Sequence, residues 1–151
     1  MAGIVFWFES FDKDVFSSRP TIDLDAWRYA AKAGGVDSMR CLNTSFVTLE
    51  GGIPDFAIIG ASVEDFTNWM NENATANTVI FDTEWSLPDA GTSLKDIDHS
   101  TVDWYVFGSA DGISHDFSQC QYAYLPQCGM GALHSVHIAS AVMLRRWESL
   151  N

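Results

Sequence analysis

The chain has 151 residues, a length that suits one domain with a sizeable buried core. Its hydrophobic fraction of 47% is ordinary for a globular protein, so we expect a folded chain rather than a disordered one. Twenty acidic residues against eight basic ones give a formal net charge of -12, and such a charge repels nucleic acid at long range.

The basic residues are unevenly distributed. Between Gly51 and Leu144, Lys95 is the only basic residue beside twelve acidic ones, and the other seven lie toward the two ends of the chain. If those ends meet in the fold, an acidic protein could still carry a local basic patch. The alternative is a solvated surface with scattered charges.

The cysteines and the N-terminus bear on the compartment. Cys41, Cys120 and Cys128 are odd in number and form no CxxC pair, which favours a reducing environment. The first apolar run is only six residues long and follows no basic region, so it predicts a buried strand rather than a signal peptide. No apolar stretch reaches membrane-spanning length, and a cytoplasmic protein is expected.

Short apolar runs alternate with helical segments along the chain. The predicted strands are Gly3–Phe8, Ser38–Leu42, Phe56–Ile59, Thr78–Phe81, Val102–Phe107 and Tyr122–Leu125. This alternation predicts an α/β fold, a parallel sheet flanked by helices. Ligands bind such sheets beyond the carboxyl ends of the strands, so the loops at Asp82–Ser86, Gly108–Ser114 and Pro126–Gly131 are the expected pocket walls.

Capping residues predict where the helices begin and end. Asp23 or Asp25 can cap a helix through AWRYAAKA, and Gly34-Gly35 is expected to end it because glycine adopts the left-handed conformation at little cost. Ser62 is expected to begin a helix over VEDFTNWMNEN, with Asp65 in its first turn.

The last predicted helix, Ala132–Trp147, is apolar around nearly its whole circumference. A helix of this kind is buried on all sides, so we expect one side to pack on the sheet and the other on a second subunit. The alternative is a core helix without a partner.

Three segments resemble a known family. TSLKDIDHSTVDWYVFGSADGIS is similar to a "TPL…HP" segment followed by a strand and an FG(S/P)E-type loop, and YLPQCGMGALHSVHIASAVMLRRW is similar to a final "IP…SLN-S-A…VLY" motif. DAWRYAAKAGGVDSM resembles a first motif with an arginine on a helix. These are the motifs of SpoU/TrmH-type methyltransferases of the SPOUT superfamily, and the resemblance is clearest from Thr92 to Trp147.

The resemblance implies a C-terminal trefoil knot in a single domain over residues 1–151. It also implies S-adenosylmethionine as cofactor, a homodimer formed through the C-terminal helix, and methyl transfer to a ribose 2′-hydroxyl of tRNA or rRNA. DNA and membranes are not expected partners. The RNA would be selected by the dimer's own surface, alone or with a partner protein.

The resemblance also assigns candidate site residues. Arg28 matches the arginine that acts on the acceptor hydroxyl and its neighbouring phosphate, although the sequence alone favours a helix-surface arginine that pairs with Asp25 or with neighbours of Lys32. His134 and Ser135 are further catalytic candidates, because the HS pair resembles one in distant ribose methyltransferases. The expected cofactor-binding residues are Phe81, Asp82, Thr83, Gly108, Ser109, Gly112, Leu125, Pro126, Gln127, Met130, Gly131 and Leu133.

Several motif positions depart from the family pattern. Ile22 and Leu24 stand where the family has Asn and Gly, Ala110 stands in place of the loop acid, and Val136 in place of a serine. These departures leave open a dimer that binds S-adenosylmethionine or a nucleoside without methylating RNA, and a purely structural dimer. The four histidines lack the spacing of a metal site, and no metal is expected.

Overall fold

The computed structural model describes residues 2–8, 20–43, 53–60, 62–82, 91–107, 117–124 and 135–151. The strands are β1 (Gly3–Phe8), β2 (Ser38–Asn43), β3 (Asp55–Gly60), β4 (Thr78–Asp82), β5 (Thr92–Ser93), β6 (Trp104–Phe107) and β7 (Gln121–Tyr124). The helices are α1 (Pro20–Ala33), α2 (Val63–Asn73) and α3 (Ser135–Leu150), with a short 3-10 turn at Leu94–Asp96.

All seven strands belong to one sheet, in the order β3-β2-β1-β6-β4-β7-β5. Every neighbouring pair is parallel, which confirms the predicted parallel α/β sheet. From β1 the chain builds outward through β2 to β3, and then crosses to the other side of β1 to form β4 and β6. The strand order therefore reverses beside β1, and such reversals create the crevice in which α/β proteins bind ligands.

Alternating side chains divide the core between the two faces of the sheet. Phe6, Phe81 and Tyr105 belong to a cluster that includes buried residues of α1 and α3. Val5 and Val106 belong to a second cluster, with Phe66 and Met70 of α2. Strand side chains point to opposite faces with a period of two, so the continuous apolar run of Ile4, Val5 and Phe6 is buried on both faces.

Helix α1 begins at Pro20, and the prediction that Asp23 or Asp25 caps it was wrong, because both lie inside the helix. Proline is well suited to the first turn, since its missing N–H would be unpaired there in any case. The predicted end is confirmed. Gly35 has φ of +71°, and the Val36 amide donates to the Ala31 carbonyl at 2.9 Å. This bond between residues five positions apart is characteristic of a Schellman motif.

Helix α2 begins as predicted. The Ser62 hydroxyl accepts from the Asp65 amide at 3.1 Å, and the Asp65 carboxylate accepts from the Ser62 amide at 3.2 Å. This reciprocal pair is a capping box, which satisfies two donors that the first turn would otherwise leave unpaired.

Other boundaries differ from the prediction. Thr92–Ser93 and the 3-10 turn lie between the predicted strands Thr78–Phe81 and Val102–Phe107, where neither a strand nor a helix was predicted. Two or three residues are too few to give a periodic pattern. Strand β6 begins at Trp104 rather than Val102. Just before it, the Asp103 amide donates to the carbonyl of Asn77, the residue that precedes β4. Leu125 and residues 132–134, predicted at the edges of β7 and α3, lie outside the described residues.

Helix α3 is buried on one side and open on the other. Ile138, Ala139, Val142 and Met143 are buried in the core, so one side packs inward as predicted. Its main partner is α1, however, and not the predicted sheet. Leu144 on the opposite side is 54% exposed, and Trp147 (50%) and Leu150 (43%) are exposed toward the end of the helix. A second subunit on the open side stays a prediction.

Candidate functional site

The three expected pocket loops follow strands that are neighbours in the sheet. Strand β4 lies between β6 and β7, with Phe81 in register with Phe107 and Asp82 in register with Tyr124. Adjacent strands are about 4.8 Å apart. The structure therefore brings the last residue before each expected loop to one short stretch of the sheet's carboxyl edge.

Most of the expected site residues lie outside the described residues. These are Thr83, Gly108, Ser109, Gly112, Leu125, Pro126, Gln127, Met130, Gly131, Leu133 and His134. For Asp82 and Ser135 the structure describes the backbone, at the end of β4 and the start of α3. Phe81 and Arg28 can be described in full.

Phe81 is a core residue at the end of β4. Its ring is 2% exposed and stacks on the rings of Phe107 and Tyr105, with centroid distances of 5.3 and 6.2 Å. A ring enclosed in this way contributes packing, so any contact between Phe81 and a ligand at this edge would be made by its backbone.

An aromatic contact fixes α1 over the same part of the sheet. The Trp27 ring stacks on Phe6 at 4.3 Å and contacts Phe107 at 5.6 Å. Phe107 is the last residue of β6, immediately before the loop that begins at Gly108. Arg28, the next residue of α1, therefore lies on a helix that packs over the end of β6.

Arg28 is held by its own helix. One terminal nitrogen lies 3.0 Å from an Asp25 carboxylate oxygen and 3.3 Å from the Tyr29 hydroxyl. The guanidinium also lies 4.9 Å from the centroid of the Tyr29 ring. Pairing with Asp25, one of the two roles considered for this residue, is thus present. The Nε–H is nonetheless buried and has no hydrogen-bond partner among the described residues, which is uncommon in folded proteins.

Ser93, which the sequence analysis did not single out, has a buried hydroxyl that likewise finds no partner within the described part of the chain. It belongs to β5 and is in register with Tyr124 at the end of β7, so it lies along the same carboxyl edge. The two-residue strand gives no pattern from which its burial could have been predicted.

Four residues form a buried polar cluster on the α1 and α3 side of the sheet, here called the Arg146 cluster: Gly34, His99, Tyr105 and Arg146. Arg146 donates to the carbonyls of Gly34 and His99 and to the Tyr105 hydroxyl, at 3.0, 3.2 and 3.1 Å. The same hydroxyl lies 3.0 Å from His99 Nδ1. Burial, and secondarily the Arg146 charge, lowers the pKa of His99, while burial raises the pKa of Tyr105.

The two ends of the chain do meet, because α1 packs against α3. Their basic side chains are nevertheless largely engaged. Arg28 pairs with Asp25, Arg145 lies 3.8 Å from a Glu148 carboxylate oxygen, and Arg146 is held by the cluster described above. Among the described residues of these helices, Lys32 is the exposed basic residue outside such contacts.

The described residues contain no group of three or more His, Cys, Asp or Glu side chains able to hold a metal ion. Of the described helices, none is long and apolar enough to cross a membrane. Burial raises the pKa of the half-buried Cys120 thiol.

No protein-family model matches the sequence, and no curated protein matches it either. Solved structures do match. The SpoU methyltransferase AviRb from Streptomyces viridochromogenes, in complex with AdoMet, has a TM-score of 0.66 at 12% identity, with 99% of this chain and 60% of that chain covered. An AdoMet-bound rRNA methyltransferase from Sinorhizobium meliloti has a TM-score of 0.61 at 13% identity, covering 99% and 57%.

A third match, a structure concerned with 2-OH methylation of C/U34 on tRNA, has a TM-score of 0.63 at 13% identity and covers 99% of this chain and 96% of that one. The chain spans 56–60% of the length of the first four structures. These likenesses extend over nearly the whole chain. The protein therefore has the fold of SpoU/TrmH-type RNA methyltransferases, as the sequence motifs predicted.

Proposed function

We propose that the protein is an S-adenosylmethionine-dependent RNA methyltransferase that acts on a ribose 2′-hydroxyl of tRNA or rRNA. The observation that carries the proposal is the alignment of the ends of β6, β4 and β7 at one edge of a SpoU-like sheet. The three segments expected to bind the cofactor follow these ends. The proposal covers one domain over residues 1–151, with the C-terminal part threaded as a trefoil knot.

The proposed site assigns a role to each element. The residues after β4 (Phe81, Asp82, Thr83), β6 (Gly108, Ser109, Gly112) and β7 (Leu125 to Leu133) would enclose the cofactor. Arg28 would act on the acceptor hydroxyl and the adjacent phosphate, and His134 and Ser135 would face the reacting groups. Methyl transfer from a sulfonium is an in-line displacement, so positioning of donor and acceptor accounts for much of the catalysis.

The buried Nε–H of Arg28, which has no hydrogen-bond partner within the described residues, supports this role. A guanidinium binds phosphate through paired N–H donors, and Arg28 retains one donor at Nε although its terminal nitrogen contacts Asp25. A phosphate could therefore be held without complete loss of the Asp25 contact.

A homodimer through α3 is part of the proposal. Tyr29, Leu144, Trp147 and Leu150 are exposed on α1 and α3, and α1 and α3 pack together. Exposed aromatic and large apolar side chains of this kind are enriched at protein interfaces.

The second candidate is a dimer of the same fold that binds S-adenosylmethionine or a nucleoside without methylating RNA. The Asp25–Arg28 contact favours it, because a carboxylate at 3.0 Å competes with phosphate for the guanidinium. The net charge of -12 and the departures at Ile22, Leu24, Ala110 and Val136 point the same way.

Two measurements separate these functions. Calorimetry with S-adenosylmethionine tests both, and the absence of heat at millimolar cofactor would refute both. Transfer of tritiated methyl groups to total RNA then compares the wild type with Arg28→Ala and with Lys32→Ala, an exposed cation on the same helix. We expect Arg28→Ala to lower the rate at least about 100-fold, in the range of a lost acid–base or positioning group, and Lys32→Ala to change it little.

Asp25→Asn completes the design. It removes the competing charge while leaving Arg28 in place, so a methyltransferase should retain its activity or gain some. Cofactor binding with no transfer by any variant would favour the second candidate. Equal transfer by the wild type and Arg28→Ala would remove Arg28 from the mechanism.

A further inference from the structure

Arg146 joins three elements from its position near the end of α3. Its Nε–H reaches the carbonyl of Gly34 at the end of α1, and Nη1 reaches the carbonyl of His99 and the hydroxyl of Tyr105 on β6. Each bond is within 3.2 Å. Arg146 continues the buried side of α3, since it lies three and seven residues beyond Met143 and Ala139.

The charge of Arg146 is balanced by dipoles. None of the ion pairs among the described residues includes it. Gly34 instead presents a carbonyl at the carboxyl end of α1, where aligned peptide dipoles concentrate partial negative charge. Arginine side chains commonly bind these last carbonyls. In this case the capping residue belongs to a different helix, so the contact ties α3 to α1.

The hydrogen bonds of the cluster suit a neutral His99. A guanidinium can only donate, so the Tyr105 oxygen accepts from Arg146. The single proton of Tyr105 can then be donated to His99 Nδ1, 3.0 Å away. The neutral imidazole with Nδ1 unprotonated accepts this proton, whereas the imidazolium, which is protonated on both ring nitrogens, cannot.

We propose that the Arg146 cluster positions the amino end of α3 relative to α1, and that it does so only while His99 is neutral. The link to the site rests on the proposed function, in which α3 begins with Ser135 and α1 carries Arg28. Eleven residues separate Ser135 from Arg146, about 17 Å along a helix. A rigid helix transmits a rotation over that distance, and displacements of about 1 Å can cost about 100-fold in rate. Arg146 is thus a positioning residue.

Acid should weaken the cluster. The groups facing His99 are Tyr105 from β6, Arg146 from α3 and Asp98 from its own segment; Asp98 favours protonation, whereas burial and Arg146 oppose it more strongly. A proton on Nδ1 would displace the Tyr105 proton and place a second cation within about 6 Å of Nη1, because both nitrogens contact one oxygen. The pKa of His99 is lowered, so its contribution to stability is complete above 6.5 and is lost as the pH falls below that value.

Arg146→Gln and Arg145→Gln form a matched pair for hydrogen exchange on the full chain. Arg145 is the exposed neighbour on the same helix, so its variant removes the same charge. For Arg146→Gln we expect exchange to rise about tenfold in residues 31–36 and 135–140 relative to β1. Equal exchange in both variants would overturn the proposal, as would a rise that is uniform over the whole sheet.

The titration of His99 by NMR gives a readout that does not require activity. We expect the wild-type midpoint to lie below 6.5 and to rise in Arg146→Gln, which removes the nearby charge. His99→Asn keeps an acceptor close to the Nδ1 position but cannot titrate. It should therefore keep the slow exchange of residues 135–140 at a pH below the measured midpoint of His99, where the wild type loses it. An unchanged midpoint in Arg146→Gln would contradict the proposed coupling.

Calorimetry connects the cluster with the site. Between pH 8 and a pH about one unit below the measured midpoint of His99, we expect the affinity of the wild type for S-adenosylmethionine to fall about tenfold, and that of His99→Asn to fall less than twofold. A parallel decline in both proteins would overturn the positioning role. If the wild type does not bind at either pH, the proposed function fails, and exchange and titration alone decide whether the cluster links α3 to α1.

Discussion

The junction between α1 and α3 gives a prediction that can be worked out from distances. A methyl group at Gly34 would lie 2.5 Å from Sδ of Met143 and 3.0 Å from its Cβ. Met143 is fully buried and cannot swing into solvent. The contact with Cβ means that the backbone of α3 must also shift, so Gly34→Ala inserts a group into a fully packed helix crossing.

The expected cost follows from two opposing effects. Overpacking in a core costs about 1–3 kcal/mol, whereas replacing glycine by alanine in an unstrained conformation stabilises by about 0.4–1 kcal/mol. We expect a net loss of about 1–2 kcal/mol in the free energy of unfolding. For a chain of this length about 1 kcal/mol lowers Tm by about 2–4 °C, so Gly34→Ala should melt about 3–6 °C below the wild type in far-UV circular dichroism.

A double-mutant cycle identifies the cause. Met143→Ala alone should cost about 2–5 kcal/mol, the range of a buried methionine truncation, but it removes Sδ and with it the shorter of the two contacts. In that background Gly34→Ala should cost less, because only the contact with Cβ remains, giving a coupling energy of about 1 kcal/mol. If Gly34→Ala costs the same in both backgrounds, the contact with Met143 is not the reason for its effect.

Three further predictions concern the surface and the termini of elements. Leu144→Asp should give a soluble monomer in analytical ultracentrifugation, because Leu144 is exposed in the single chain. The control Ser149→Asp should remain a dimer. A dimer of Leu144→Asp would contradict an interface at this residue. Ser62→Ala should lower stability by about 1 kcal/mol through loss of the α2 cap, measured by urea denaturation. Hydrogen bonds from Arg40 and, to a lesser extent, Ser38 lower the pKa of Asp55. The stabilising effect of Asp55 is therefore present above pH 3.8 and is lost as the pH falls below that value. In Asp55→Asn the free energy of unfolding should decline less steeply in acid, and an unchanged decline would refute this contribution.

Local patterns in the sequence determined the class of fold and several boundaries. The end of α1 at Gly34-Gly35 and the cap of α2 at Ser62 depend on residues within a single turn, so each could be predicted from a few neighbouring letters. The family motifs added the expected cofactor loops, and the structure places the strands before those loops side by side. The cap of α1 was misjudged because two aspartates resemble N-caps wherever they occur, and only the backbone reveals that Pro20 already begins the helix.

Only the tertiary structure decided which elements are neighbours. Periodicity reports that a side chain is buried, but it carries no information about the partner that buries it. For this reason β6 between β1 and β4 could not be predicted, and neither could the Arg146 cluster, whose residues are up to 112 positions apart. The same reason explains α3. Its sequence is apolar on every side, and the packing against α1 determines that Met143 is buried while Leu144, the next residue, is exposed.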